Sequence, residues 1–189
     1  MIPKFQGQLL TKDEHVIAAT NGDGVSTFKL DESIPDFILR DSMTMNSIDE
    51  AAQSVEYSVE LIGPDLISSC IDKDTSQKLS YATIKAGLTY YMGNNGGMIK
   101  VTEGWREVSV ANYVVVEGSG IAVSQSALGS YGLSKNFKTG KCSITTGWNY
   151  APYILSDETF YTNLNGIMCD SAIYITGMSD NILRITCSV

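Results

Sequence analysis

The sequence predicts a mainly β protein, an antiparallel β-sandwich or barrel-like domain with one short helix. Two observations lead to this fold class. Apolar residues recur at alternate positions in many short runs, and a strand with one buried face has this period of two. The runs are separated by turn residues, with 17 glycines against 4 prolines in 189 residues. About nine or ten short strands joined by turns are typical of a sandwich or barrel.

The first elements are expected around the sequence Asn-Gly-Asp-Gly at 21–24. Two strand-like runs, 16–19 and 25–30, flank it. Asn-Gly and Asp-Gly readily adopt the positive φ angles that a tight hairpin turn requires. The sequence therefore predicts a hairpin whose two strands meet at residues 21–24.

A loop and a helix are expected next. Residues 31–40 contain Pro35 and are interpreted as a connecting loop. The one short helix is predicted over 47–54, because Ser47 can cap it and Glu50 stands three residues further on, as in a capping box.

The middle of the chain has the clearest period of two. Residues 55–61 alternate apolar and polar and predict a strand, and a longer strand is predicted from residue 79 onward. Asn-Asn-Gly-Gly at 94–97 is expected to turn the chain. Six apolar residues are expected on one face of the longer strand: Ala82, Ile84, Ala86, Leu88, Tyr90 and Met92.

The last third continues the alternation. Valines before and after Asn112 predict two strands, the second ending in a flexible turn at 118–120. The terminal strands are expected around residues 173–176 and 183–189. One domain over 1–189 is expected, with residues 1–74 as an alternative acidic layer or arm.

Charge is unevenly distributed along the chain. The net charge is −8, and residues 1–74 carry 14 acidic and 5 basic side chains, against 7 and 8 in residues 75–189. Phosphate binding needs clustered Lys and Arg, so nucleic acid is not expected as a partner. Lys135, Lys138 and Lys141 lie in a segment without carboxylates. They are the candidate interface residues if copies meet acidic face to basic face, and ordinary solvated surface is the alternative.

Membrane, metal and cofactor sites are not expected. The chain begins without an apolar signal core, and no window approaches the ~18 apolar residues of a membrane span. The four cysteines form no Cys-x-x-Cys pair, and His15 is the one histidine. Free thiols in a reducing compartment are expected, with a Cys169–Cys187 bridge as the alternative.

Three short matches resemble serine β-lactamases and penicillin-binding proteins. Ser26 and Lys29 fit Ser-x-x-Lys, 179–181 fits Ser-Asp-Asn, and 138–140 fits Lys-Thr-Gly. The last two occur in exchanged order, and side chains three apart on a strand point to opposite faces. No catalytic residue is therefore assigned, and the chain is not expected to be an enzyme.

Six aromatic residues are candidates for a sugar-stacking platform, although aromatics at such positions more often belong to a core or interface. They are Tyr90, Tyr91, Trp105, Trp148, Tyr150 and Tyr153.

Residues 21–30, Asn-Gly-Asp-Gly-Val-Ser-Thr-Phe-Lys-Leu, are similar to hairpins near the starts of bacteriophage tail-fibre and other virion proteins. The resemblance covers about ten residues and implies a structural component of a phage or virus particle, such as a tail, baseplate or capsid-surface protein. Such a protein would bind copies of itself, as a homo-oligomer, and other particle proteins, and would be assembled in the host cytoplasm. The alternative expectation is a carbohydrate-binding β-sandwich module used for attachment.

Overall fold

The computed structural model describes residues 3–32, 34, 36–47, 52–66, 78–125, 131–137, 139–153, 165–175 and 180–189. They form strands and one short 3₁₀ turn at Asn94–Gly96. The strands are β1 (Lys4–Thr11), β2 (Val16–Thr20), β3 (Val25–Phe28), β4 (Phe37–Ser47), β5 (Ala52–Pro64), β6 (Lys78–Gly93), β7 (Met98–Val110), β8 (Val114–Gln125), β9 (Tyr131–Phe137), β10 (Gly140–Thr145), β11 (Ala151–Pro152), β12 (Gly166–Ile175) and β13 (Asn181–Ser188).

The strands form two antiparallel sheets, as the period of two predicted. Sheet A has the order β2-β1-β13-β12-β8-β9, and sheet B has the order β10-β7-β6-β5-β4-β3, with β11 also pairing with β7. In sheet A, β1 pairs with β13 along its whole length, from Lys4 opposite Ser188 to Thr11 opposite Asn181. The first and last strands of the chain are therefore neighbours.

The inner faces of the two sheets share one hydrophobic core. The face predicted for 82–92 is confirmed: its first five apolar residues are buried, and Met92 packs against the core. The residues between them, such as Thr83 and Lys85, are half-buried on the outer face. The strand predicted at 55–61 is confirmed as part of β5, with Val55, Val59 and Leu61 in the core.

The prediction of a helix over 47–54 is wrong for the residues of this segment that the structure describes, 47 and 52–54. Ser47 ends β4 and pairs with Gln53 of β5, and Asn46 pairs with Ser54. From Val55 onward, the buried positions of β5 follow the strand period, with Tyr57 and Val59 next. Pairing with β4 and burial of this face outweigh the local capping signal, since propensity is a weak prior. Glu50 lies outside the described residues.

The loop predicted over 31–40 is too long, because β4 begins at Phe37. Phe37 and Leu39 are fully buried in the core, and Asp41 occupies the next inward-facing position of the same strand. The turn predicted at 118–120 is also wrong. β8 continues through it, with a register shift in its pairing to β12 between Ala172 and Ile173.

Residues 21–24 do not form the predicted hairpin. β2 pairs with β1 in sheet A, whereas β3 pairs with β4 in sheet B. The segment therefore crosses from one sheet to the other. The positive φ angles are present, 63° at Gly22 and 50° at Asp23, so the local conformation was predicted correctly and the pairing of the flanking strands was not.

Candidate interaction surfaces

Asp41 anchors the crossover between the sheets. It lies on β4, is 5% exposed, and its carboxylate accepts hydrogen bonds from the backbone N–H groups of Gly22 (2.9 Å) and Gly24. The Tyr57 hydroxyl donates to the same carboxylate. Burial, and then the bond to Asp41, raises the pKa of the Tyr57 phenol. At residues 21–24, backbone N–H donors thus face a carboxylate, which is the reverse of the arrangement that coordinates a cation.

A second buried polar group joins the two sheets. Arg106 of β7 is fully buried, and its guanidinium Nη1 donates to the Ser171 hydroxyl of β12 at 2.9 Å. The Ser119 hydroxyl donates to the same oxygen at 3.2 Å. Burial lowers the pKa of Arg106 to about 10. This group lies inside the core, where it fixes the position of β7 against β12.

The described cysteines are thiols. Cys142 is half-buried, and Cys169 and Cys187 are fully buried on the adjacent strands β12 and β13. The alternative Cys169–Cys187 bridge is not formed in this structure. Burial raises the pKa of both buried thiols, which favours the unreactive protonated form. Cys70 lies outside the described residues.

Three described residues of the β-lactamase-like matches have a local role. Ser26 lies on strand β3 as predicted, and its hydroxyl donates to the Ala19 carbonyl of β2 at 2.7 Å. The Lys29 ammonium lies 3.8 Å from an Asp36 carboxylate. Asp180 pairs with Lys12 at 3.6 Å. Ser179 and Lys138 lie outside the described residues.

Within the described part of the chain, no group of three His, Cys, Asp or Glu side chains is arranged to hold a metal ion. No helix in the same residues is long and apolar enough to cross a membrane.

Three of the six candidate aromatic residues meet on the outer face of sheet B. Trp105 lies over Gly87 of the neighbouring strand, and Tyr150 lies over Gly93. Tyr91 is on the same face, opposite Lys100 of β7. We call these three rings, with the lysines beside them, the aromatic face. The remaining candidates are in or against the core: Tyr90, Trp148 and Tyr153.

Each ring of the aromatic face has a lysine beside it. The Lys141 ammonium lies 4.5 Å from the Trp105 ring centroid. The Lys100 ammonium lies 6.0 Å from the Tyr91 centroid and 5.9 Å from the Tyr150 centroid. The sequence contained all these residues, but the cross-strand register that brings them together was not readable from it.

The molecule has two open sides, where the edge strands of the two sheets lie together. The first side consists of β2, β3 and the segments beside them, residues 11–36; the second consists of β9 and β10. On the first side, exposed acids outnumber exposed lysines by six to two. The acids are Asp13, Glu14, Asp23, Asp31, Glu32 and Asp36, and the lysines are Lys12 and Lys29.

The second side contains the candidate interface lysines. Lys135 lies on β9 and Lys141 on β10, while Lys138 lies outside the described residues. By sequence, no carboxylate occurs between Glu117 and Asp157. The acidic residues named above and the strands that carry Lys135 and Lys141 lie at opposite edges of the two sheets. We call these edges the acidic side and the basic side.

Comparison with protein-family models, with curated proteins and with solved structures finds no match to this chain. Its function is therefore inferred from its own residues.

Proposed function

We propose that the chain is a non-catalytic, β-sandwich component of a phage or virus particle, such as a tail, baseplate or capsid-surface protein. The observation that supports this proposal is the unlike charge of the two open sides. Because the sides differ, the acidic side of one copy complements the basic side of the next. Such a contact is heterologous and repeats into a ring or a filament.

Apolar groups on the acidic side supply the second part of the proposed contact. Val16 of β2 is 55% exposed and Val25 of β3 is 62% exposed. A groove of about 650 Å³ beside them is lined in part by Ile17, Leu30 and Ile34. Burying apolar surface stabilises association, and the charges set its orientation and rate.

The proposed contact uses side chains and does not add a strand to either sheet. β2 and β3 have five and four residues, and short edge strands are poor templates for pairing. Lysines on β9 and β10 further discourage strand addition at the basic side. The occupants of each side are copies of the chain and neighbouring particle proteins, assembled in the host cytoplasm.

The assembly proposal predicts that charge reversal on the basic side impairs self-association. We expect the variant Lys135→Glu/Lys138→Glu/Lys141→Glu to assemble more slowly and less completely than the parent at low salt. Raising salt should slow the parent in the same way, because exposed charges are screened over about 10 Å at 0.1 M. Sedimentation velocity and native mass spectrometry measure the size distribution.

A matched control reverses three lysines that are not on edge strands, Lys4→Glu/Lys78→Glu/Lys85→Glu, and changes the net charge equally. It should assemble like the parent. Equal assembly by the parent and the basic-side variant at low salt, or a parent that is monomeric at all concentrations, would contradict the proposal.

A second function, a carbohydrate-binding module used for attachment, is favoured by the aromatic face. Three partly exposed rings on one face of a sheet are a surface on which sugars can stack. This function does not require self-association, and a particle component can serve both.

A further inference from the structure

The rings, charges and length of the aromatic face indicate which class of carbohydrate it would bind. We propose that it binds a neutral, extended polysaccharide along strand β6. The inference rests on the second function proposed above, carbohydrate binding, and is independent of self-association.

Two of the three rings pack over glycines of β6. A Cβ added at Gly87 would come within 2.2 Å of the Trp105 indole nitrogen, and one added at Gly93 would come within 3.0 Å of the Tyr150 ring. Trp105 and Tyr150 therefore pack on the sheet and remain partly exposed. The C–H groups of a pyranose carry a slight positive charge and pack against the electron-rich face of such a ring.

The lysines over the rings do not prevent stacking. A cation–π pair at an exposed site contributes about 0.5–1 kcal/mol, and Lys141 is exposed. A sugar that replaces the ammonium over Trp105 therefore displaces it at small cost. The displaced lysine remains within reach as a hydrogen-bond donor for the sugar hydroxyls.

The charges around the rings are balanced. Glu56 lies opposite Gly87, Glu103 opposite Thr89, and Glu107 between Lys85 and Lys141 in cross-strand register. Four carboxylates and four cationic groups thus share this face: Glu56, Glu60, Glu103, Glu107, Arg40, Lys85, Lys100 and Lys141. A polyanion would gain no net attraction here. Sugar hydroxyls both donate and accept hydrogen bonds, so they can bind to the carboxylates and to the cationic groups.

The length of the face favours a polymer over a single sugar. Gly87 and Gly93, which support the first and last rings, are six residues apart on β6. At ~3.4 Å per residue this is roughly 20 Å. Tyr91 lies between them on the same face, so stacking positions follow one another along the strand.

The test is native gel electrophoresis in gels containing one soluble polysaccharide each: a β-glucan, a mannan, a xylan, a galactan, and the polyanion alginate. We expect at least one neutral polymer to retard the parent protein. Trp105→Ala and Tyr91→Ala/Tyr150→Ala should each weaken the apparent affinity about ten-fold, the equivalent of 1.4 kcal/mol.

The matched control is Tyr174→Ala, which removes a half-buried ring from the outer face of sheet A and should leave binding unchanged. Trp105→Phe guards against misfolding, because it keeps a ring over Gly87. Near-ultraviolet circular dichroism confirms that each variant is folded.

If neutral polymers retard all the sheet B variants as strongly as the parent, the aromatic face is not the binding site, although the protein binds carbohydrate. Retardation by alginate alone would overturn the neutral ligand. No retardation by any polymer would overturn both the inference and the second proposed function, with the assembly proposal unaffected.

Discussion

Asp41 receives donors from two different parts of the chain. The N–H groups of Gly22 and Gly24 come from the crossover, and the Tyr57 hydroxyl comes from β5 in the same sheet as Asp41. A buried carboxylate is stable when its lone pairs are satisfied in this way. One side chain therefore fixes where the chain leaves sheet A and enters sheet B.

We expect Asp41→Ala to lower the free energy of unfolding by about 2–4 kcal/mol. Hydrogen bonds to a charged group contribute about 1.5–3 kcal/mol, and a buried donor left without an acceptor costs about 1–3 kcal/mol. Urea denaturation measures this change.

The control for this prediction is Asp36→Ala, which removes an exposed carboxylate paired with Lys29. Exposed pairs contribute about 0–1 kcal/mol, so this variant should unfold like the parent. If Asp41→Ala and Asp36→Ala lower the free energy of unfolding equally, Asp41 does not anchor the crossover.

At the scale of strands, much of the fold could be predicted from the sequence. The period of two identified β5 and β6 and the side of β6 that faces the core. It works because burial of one face selects residues at every second position. β4 was missed because Asp41 occupies an inward position, where the pattern requires an apolar residue.

Strand partners were harder to predict than strands. The Asn-Gly-Asp-Gly sequence determines φ angles at 21–24, but a turn of this kind can join strands of one sheet or of two. The aromatic face was not predicted for the same reason: Trp105 lies over Gly87 because of the register of β7 with β6. Local sequence carries no direct record of that register.

Two close contacts determine how near the sheets approach each other. A Cβ added at Gly104 of β7 would come within 2.4 Å of the Val123 side chain of β8, and one added at Gly7 would come equally close to Val59. We expect Gly104→Ala to lower the free energy of unfolding by about 1–3 kcal/mol, as overpacking of a core does. Thermal or urea unfolding measures it.

Gly104→Ala/Val123→Ala should lose less stability than the sum of its two single changes, because Val123→Ala removes the methyl groups that the new Cβ meets. Gly118→Ala is the control, since nothing lies within 4 Å of a Cβ at that position. A double variant no more stable than the sum of its single changes would show that the glycine contact does not limit the sheet spacing.

For the molecule as a whole, buried phenols limit stability at high pH. Burial is the main cause that raises the pKa of Tyr90 from 10.0 to about 12. A raised pKa means that the fold favours the neutral phenol. This contribution is complete below pH 10 and is lost as the pH rises from 10 to 12.

We therefore expect the free energy of unfolding to fall between pH 10 and pH 12, and to fall less steeply in Tyr90→Phe. The variant starts from a lower value, because it loses the hydrogen bond to Gln53. Urea titrations across this range measure the slope, with Tyr91→Phe on the outer face as the control. Equal slopes for the parent and Tyr90→Phe would contradict the prediction.

The pairing of β1 with β13 has a consequence for the order of events during folding. β3 to β7 follow one another in the chain, and each pairs with the next, so this part of sheet B forms between consecutive strands. β1 precedes the other described strands, yet one of its two partners is β13. Contacts of such sequence separation form slowly. We therefore expect the pairing of β1 with β13 to form after the pairings among β3 to β7, so that the closing of sheet A is a late and slow step of folding.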